Sequence, residues 1–334
     1  MVDVVGIGTS FMDQLVNVPR VPQGNSGVRA DEVFHQGGGN VATAIVAAAR
    51  LGARAGMIGR VGGDSTGDFL IRDFTYNGVD ASNIIRGEAG TSSPYSIAIS
   101  ERELGTRMFI VKRGTTPPLR PEDVDLDYIA GAKILHLETG DPASLAAAEF
   151  ARKKGITVTV DAGGFTEERV KLIPYVDVLI ASDMFYNGMF KKDKNAPKKE
   201  GEALDAEYRE NIEKLRAMGP KVVWVTRGAA GCVGLVEGEH IQVPTFDVPV
   251  KDTTGAGDVF HGAYIAAMLE GLPHRECARY ANAVSSIKCM FVGGRTGIPN
   301  RETLGRFLKD GTVDTAEIEE RLAYYRRSFP SFTA

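Results

Sequence analysis

A chain of 334 residues, 43% hydrophobic and 25% charged, has the apolar material for one large α/β domain or two ordinary ones, and a net charge of -4 with no dense basic face argues against nucleic acid as partner. Its three cysteines, Cys232, Cys277 and Cys289, are widely spaced in apolar stretches and read as reduced core thiols, not as a disulfide framework or a CxxC metal site. The opening MVDVVGIGTSF lacks the basic region and long apolar run of a signal peptide, and no stretch approaches a membrane span, so the expectation is a cytoplasmic protein acting on small molecules.

Taken in chain order, short β-branched runs recur: VDVVGIG from Val2, AGMIGRVG from Ala55, AKILHLE from Ala132, TVTVDAG from Thr157, DVLIAS from Asp177 and KVVWVTRG from Lys221. Their apolar residues run on instead of alternating, the mark of strands buried on both faces. Helical patterns separate them at 40–51, 64–76, 142–154 and 205–218. Strands alternating with helices predict a mainly parallel sheet covered on both sides. Two segments break the rhythm. Residues 13–36 and 91–113 carry strand-like pieces and turns with no helix between them, which fits either a small sheet overhanging the main one or two surface hairpins. Residues 191–202, KKDKNAPKKEGE after Phe190, read as a solvated loop.

The densest signal is KDTTGAGDVFHGAYIAAM from Lys251. Thr253 and Thr254 can cap a helix starting near Gly255, with Phe260, Ala263, Tyr264, Ala267 and Met268 on one face. Glycines in the first turn leave amides open for a phosphate at the positive end of the helix dipole. Asp258 then admits two roles. Composition alone favours simple dipole stabilisation; a base facing a substrate hydroxyl is the other role. No Gly-Lys-Ser/Thr follows, so this is not a Walker A loop.

Nearer the start, HQGGGNVATAIVAAARLG places three glycines before Asn40, a possible N-cap that can also bond hydroxyl groups. Asp13 follows the first strand, where α/β folds gather ligand groups. GIGTSFMD begins like a dinucleotide fingerprint but has Phe11 and Met12 where small residues are needed, a weak case for NAD. Thr226, Gly228 and Gly231 stand just beyond a buried strand as a turn or a nucleotide loop. The five histidines have no metal spacing, His261 reads as a packing or surface residue, and there is no GxSxG elbow.

Together these pieces resemble the PfkB family of carbohydrate kinases, from Val2 to about Pro299, with DTTGAGDVFHGAY matching the second family signature and GGNVATAIVAAARLG the first. The resemblance implies a ribokinase-like three-layer αβα domain with a mainly parallel sheet and a small β-sheet lid: core from 1–12, 37–90 and 114–334, lid from 13–36 and 91–113. It implies that Asp258 is the catalytic base and that Gly255, Ala256 and Gly257 form the anion hole. Gly38, Gly39, Asn40 and Asp13 would bind the sugar; Thr226, Gly228, Gly231, Asn282 and Gly293 the ATP. Mg²⁺ would accompany the nucleotide, and Asp252 and Thr254 match the nearest ligands of a monovalent cation, K⁺, found in many members.

The chain departs from the family pattern in three places. Ser182 and Phe185 replace an Asn-x-x-Glu pair that helps organise magnesium, and Thr43 replaces a second sugar-contacting Asn. GGN with LHLETGD leans toward ketohexokinase-like members. The expectation is an ATP-dependent kinase acting on a primary hydroxyl of a ketose, pentose or related polyol. Its rivals are a nucleoside kinase, for which Phe34 is the one obvious base-stacking candidate, and a non-catalytic sugar-binding regulator. Arg107 and Lys112 could meet an anionic substrate, though exposed strand charges are the simpler account. An exposed lid edge would favour a homodimer.

Overall fold

The six apolar runs become six adjacent strands in the middle of one nine-stranded sheet. The computed structural model describes residues 2–104, 106–191 and 200–327. Its strands are β1 (Val4–Ile7), β2 (Phe11–Val18), β3 (Glu32–Gly38), β4 (Ala55–Val61), β5 (Ile84–Arg86), β6 (Tyr95–Glu101) and β7 (Thr106–Lys112). They continue as β8 (Ile134–Leu137), β9 (Thr157–Ala162), β10 (Val178–Ser182), β11 (Val222–Thr226), β12 (Cys232–Val236) and β13 (Glu239–Val243). The helices are α1 (Asn40–Arg50), α2 (Ser65–Tyr76), α3 (Leu126–Ala130), α4 (Pro142–Lys153), α5 (Glu167–Leu172) and α6 (Asp183–Phe190). After them come α7 (Gly201–Ala217), α8 (Ala256–Leu269), α9 (His274–Cys289), α10 (Arg301–Asp310) and α11 (Ala316–Arg327).

The large sheet runs β13-β12-β11-β10-β9-β8-β1-β4-β5 and is parallel from β11 to β5, with the β12–β13 hairpin antiparallel at one edge. Successive side chains feed opposite cores. Val4, Val222 and Trp224 pack with α1, α8 and α9, while Val5, Val223 and Val225 pack with α4 and α7. Because β4 and β8 flank β1, the chain changes direction at the carboxyl end of β1, the place where open α/β sheets form a crevice.

Residues of the two irregular segments pair into a separate four-stranded sheet ordered β3-β2-β6-β7, with Asp13 opposite both Gln36 and Ser96. This sheet begins at Phe11 and ends β3 at Gly38, outside the 13–36 boundary. Asp13 therefore sits within a lid strand and not in the turn after β1. For the same reason GIGTS leads into a strand, so the helix N-terminus that a dinucleotide fingerprint requires is missing there. Leu15, Phe34 and Ala98 form the lid's own small core with Tyr325 of α11, and Arg326 of α11 pairs with Glu32 of β3.

Other expectations shift in detail. Helix α8 is buried without a break from Val259 to Ala267, because α1 and α9 cover the face that an amphipathic reading leaves to solvent. Helix α7 starts at Gly201, four residues before the sequence pattern. Most of the 191–202 loop, and the Arg107 side chain, lie outside what is described. No helix among the described residues is long and apolar enough to cross a membrane.

Candidate active site

Helix α8 opens at the crevice without the expected threonine cap. Gly255 is the N-cap, in the left-handed region at φ 71, where a Cβ would also lie 3.0 Å from Gly294 Cα. Only glycine suits both the dihedral and the approach. Of the amides assigned to the anion hole, that of Ala256 donates to Thr253 O at 3.2 Å. Those of the first turn have no intrahelical acceptor, and Gly257 is exposed on the wall of a cleft.

Asp258 is the third residue of α8, partly open to the crevice but surrounded by protein. Burial and the neighbouring charge of Asp161 push its carboxyl up to about 7, against the pull of His261. Asp13 also interacts with it electrostatically. A carboxylate held near neutrality is a better proton acceptor than an ordinary aspartate. Since only the ionised form can act as base, kcat/KM should rise with pH through about 7 and level off above it. A rate-pH profile checks this, and an Asp258 contribution with the ordinary aspartate midpoint would contradict it.

On the lid side, Ser96 Oγ donates to Asp13 Oδ1 at 2.6 Å, while burial raises the Asp13 carboxyl above its usual range. A Cβ on Gly38 would stand 2.0 Å from Asp13 Oδ2, so the glycine makes room for that carboxylate. Gly38→Ala should displace Asp13 and raise the acceptor KM tenfold or more, about 1.4 kcal/mol, with the nucleotide Kd unchanged, as steady-state kinetics beside nucleotide titration would show. Gly39, at φ 98, is the N-cap of α1, so Asn40 is its first helical residue and not a cap. Asn40 Nδ2 instead reaches Asp161 Oδ2 at 3.4 Å.

Beneath these groups lie residues that the sequence did not single out. Asp161, at the end of β9, has its Oδ1 3.3 Å from His261 Nε2. Burial opposes its ionisation, but His261 beside it holds the carboxyl below its ordinary value. Of the two readings of His261, packing or surface, the buried one holds, and the side chain is also the partner of Asp161. The His136 ring lies 5.4 Å from that of His261 at a tilt of 36°, and its pKa is held down to about 3, first by burial and then by the charge of His261, so it stays neutral. Glu138 accepts from Thr9 N at 2.9 Å and is pushed up to about 7 by burial and by Asp161. Arg295, fully buried, pairs with Asp73 and donates to Thr43 Oγ1 at 3.2 Å and Gly38 O at 3.1 Å. Thr43 therefore serves to hold Arg295 beneath the glycine loop.

Across α8 lies a cleft of about 440 Å³ lined by Thr226, Gly228, Gly231, Phe246, Gly257 and Asn282 among others. Asn282 ties down one wall by donating to Val243 O at 3.2 Å and Pro244 O at 3.0 Å. Gly293 is not part of this cleft. It packs against Gln36 and Leu15, and its N–H donates to Asp252 Oδ2 at 2.8 Å, because the chain after α9 turns under the lid. A cavity of about 950 Å³ opens under the small sheet, where Asp31 and Glu32 are paired with Arg102 and Arg326, and Val250 and Thr253 line both it and the cleft beside α8. At the Asn-x-x-Glu position, Ser182 caps α6 and Phe185 is buried.

The model of the pfkB family carbohydrate kinases matches residues 1–301. The chain belongs to this family. A nucleoside kinase of Methanothermobacter thermautotrophicus is 26% identical over 91% of the chain and 95% of its own length. An ATP-dependent ribose-1-phosphate kinase of Halopiger xanaduensis is 29% identical over 93% and 99%. The structure of Arabidopsis thaliana ribokinase complexed with ribose and ATP superposes with a TM-score of 0.79, at 24% identity over 92% of this chain and 99% of that one, and shows the same ribokinase-like fold. As a member of this family the chain is a phosphotransferase with an alcohol group as acceptor. Helix α11, which braces the lid, follows the matched region.

Proposed function

We propose that the protein transfers the γ-phosphoryl group of ATP to a primary hydroxyl of a small sugar bound between Asp13, Asn40 and Asp258. The observation that carries the reading is the position of Asp258, in the first turn of the helix whose Ala256 and Gly257 line the cleft and within electrostatic reach of Asp13 beside Gly38. The acceptor hydroxyl gives its proton to Asp258 while its oxygen forms the new bond to the γ-phosphorus. The bond to the β-γ bridging oxygen breaks and ADP leaves. The α8 amides sit where charge develops on the phosphoryl oxygens.

Mg²⁺, when bound with the nucleotide, neutralises charge on its phosphates. Asp161 and Glu138, which both interact electrostatically with Asp258, are the carboxylates that would help hold the ion, with phosphates and water supplying its other ligands. Two observations favour a sugar over a nucleoside. Phe34 is committed to the lid core and cannot stack on a base, and the lid base offers polar side chains instead. Ribose, ribose 1-phosphate, ketoses and nucleosides compared by kcat/KM test the substrate class; a preference for nucleosides would overturn the sugar reading.

The lid edge supports a homodimer. Strand β7 ends the small sheet with Met108, Phe109, Ile110 and Val111 all exposed, and Phe109 is 56% exposed. Lys112 rests over the Tyr95 ring. Phe109→Asp should leave a monomer in light scattering where the parent chain is a dimer; a monomeric parent would contradict the proposal.

A further inference from the structure

Directly behind the anion hole, the segment entering α8 meets the last turn of α9. Lys251 N and Asp252 N donate to Cys289 O at 2.8 and 3.1 Å. The Asp252 carboxylate accepts from Thr254 N and Gly293 N, each at 2.8 Å. Into this pocket of oxygen atoms reaches Lys288, which is 0% exposed, and its Nζ donates to Asp252 O at 2.8 Å. Burial alone would discourage ionisation of Asp252, but the Lys288 charge and the two amides outweigh it and hold the carboxyl below its usual range.

This does not fit a monovalent metal ion at Asp252 and Thr254. A buried carboxylate requires one compensating positive charge, and the chain already supplies it. A second cation beside the ammonium would be repelled in a medium that screens weakly. We propose that the Lys288 ammonium is the built-in cation of this site, fixing the Asp252–Thr254 segment behind the anion hole, so that the protein neither needs nor binds K⁺ there. Lys288 is a positioning residue: it acts through the backbone that carries Gly255 and Gly257. The effect on turnover rests on the kinase reading, whereas the binding claim does not.

The test therefore has two readouts. Melting temperature and acceptor-dependent ADP release are measured for the parent protein in potassium, sodium and tetramethylammonium chloride at equal ionic strength. Equal melting temperatures and equal rates are expected. A potassium-specific rise in either overturns the proposal, and the melting readout decides even if no acceptor is found. Lys288→Ala opens the pocket, and its melting temperature should rise with potassium but not with tetramethylammonium, because the ion then binds only the folded state. A folded Lys288→Ala protein indifferent to potassium would count against the proposal; if that variant fails to fold, the parent measurements decide.

Discussion

Asp258→Asn is expected to lower kcat by about 10²–10⁴-fold, the usual contribution of a positioned general base, while leaving ATP binding nearly intact. Asparagine keeps the shape and removes the proton acceptor. It also removes a buried group whose ionisation is opposed by burial and by Asp161, so the variant should fold as well as the parent. Turnover measured beside nucleotide binding separates the roles. If Asp258 only stabilised the helix dipole, the variant would lose a little stability and keep its rate.

The largest expected stability effect is at Arg295. Its guanidinium is fully buried, pairs with the equally buried Asp73, and also holds Thr43 and the Gly38 carbonyl. Arg295→Met strands the Asp73 charge, and removing one partner of a buried pair costs about 3–5 kcal/mol. Urea unfolding should show the midpoint falling with the slope unchanged. Adding Asp73→Leu to Arg295→Met should recover much of the loss, since an apolar pair of similar volume carries no stranded charge. A double variant as unstable as the single one would mean that the bonds to Thr43 and Gly38 dominate.

What was legible in the sequence follows from the range of the forces involved. The central strands could be read because burial on both faces demands unbroken apolar runs, and TVTVDA and VVWVT have them. The family signatures sit at turns where local backbone geometry dictates residue type, as Gly255 shows. Asp161 and Glu138 could have been found by the rule that pointed to Asp13, since each stands at the carboxyl end of a buried strand. Arg295 and Lys288 could not. Their partners Asp73 and Asp252 lie 222 and 36 residues away, and no local pattern records such pairing. The cap of α8 and the burial of its outer face were misread for a related reason, because both depend on what α1, α9 and the Gly294 backbone bring against the helix.

The most direct test of the central claim is to follow the γ-phosphoryl group itself. With γ-labelled ATP, Mg²⁺ and a panel of pentoses, ketoses and nucleosides, label should move to the primary hydroxyl of a sugar in the parent protein, and the Asp258→Asn protein should show little transfer. Label released only as inorganic phosphate, or transferred equally well by the variant, would contradict the account.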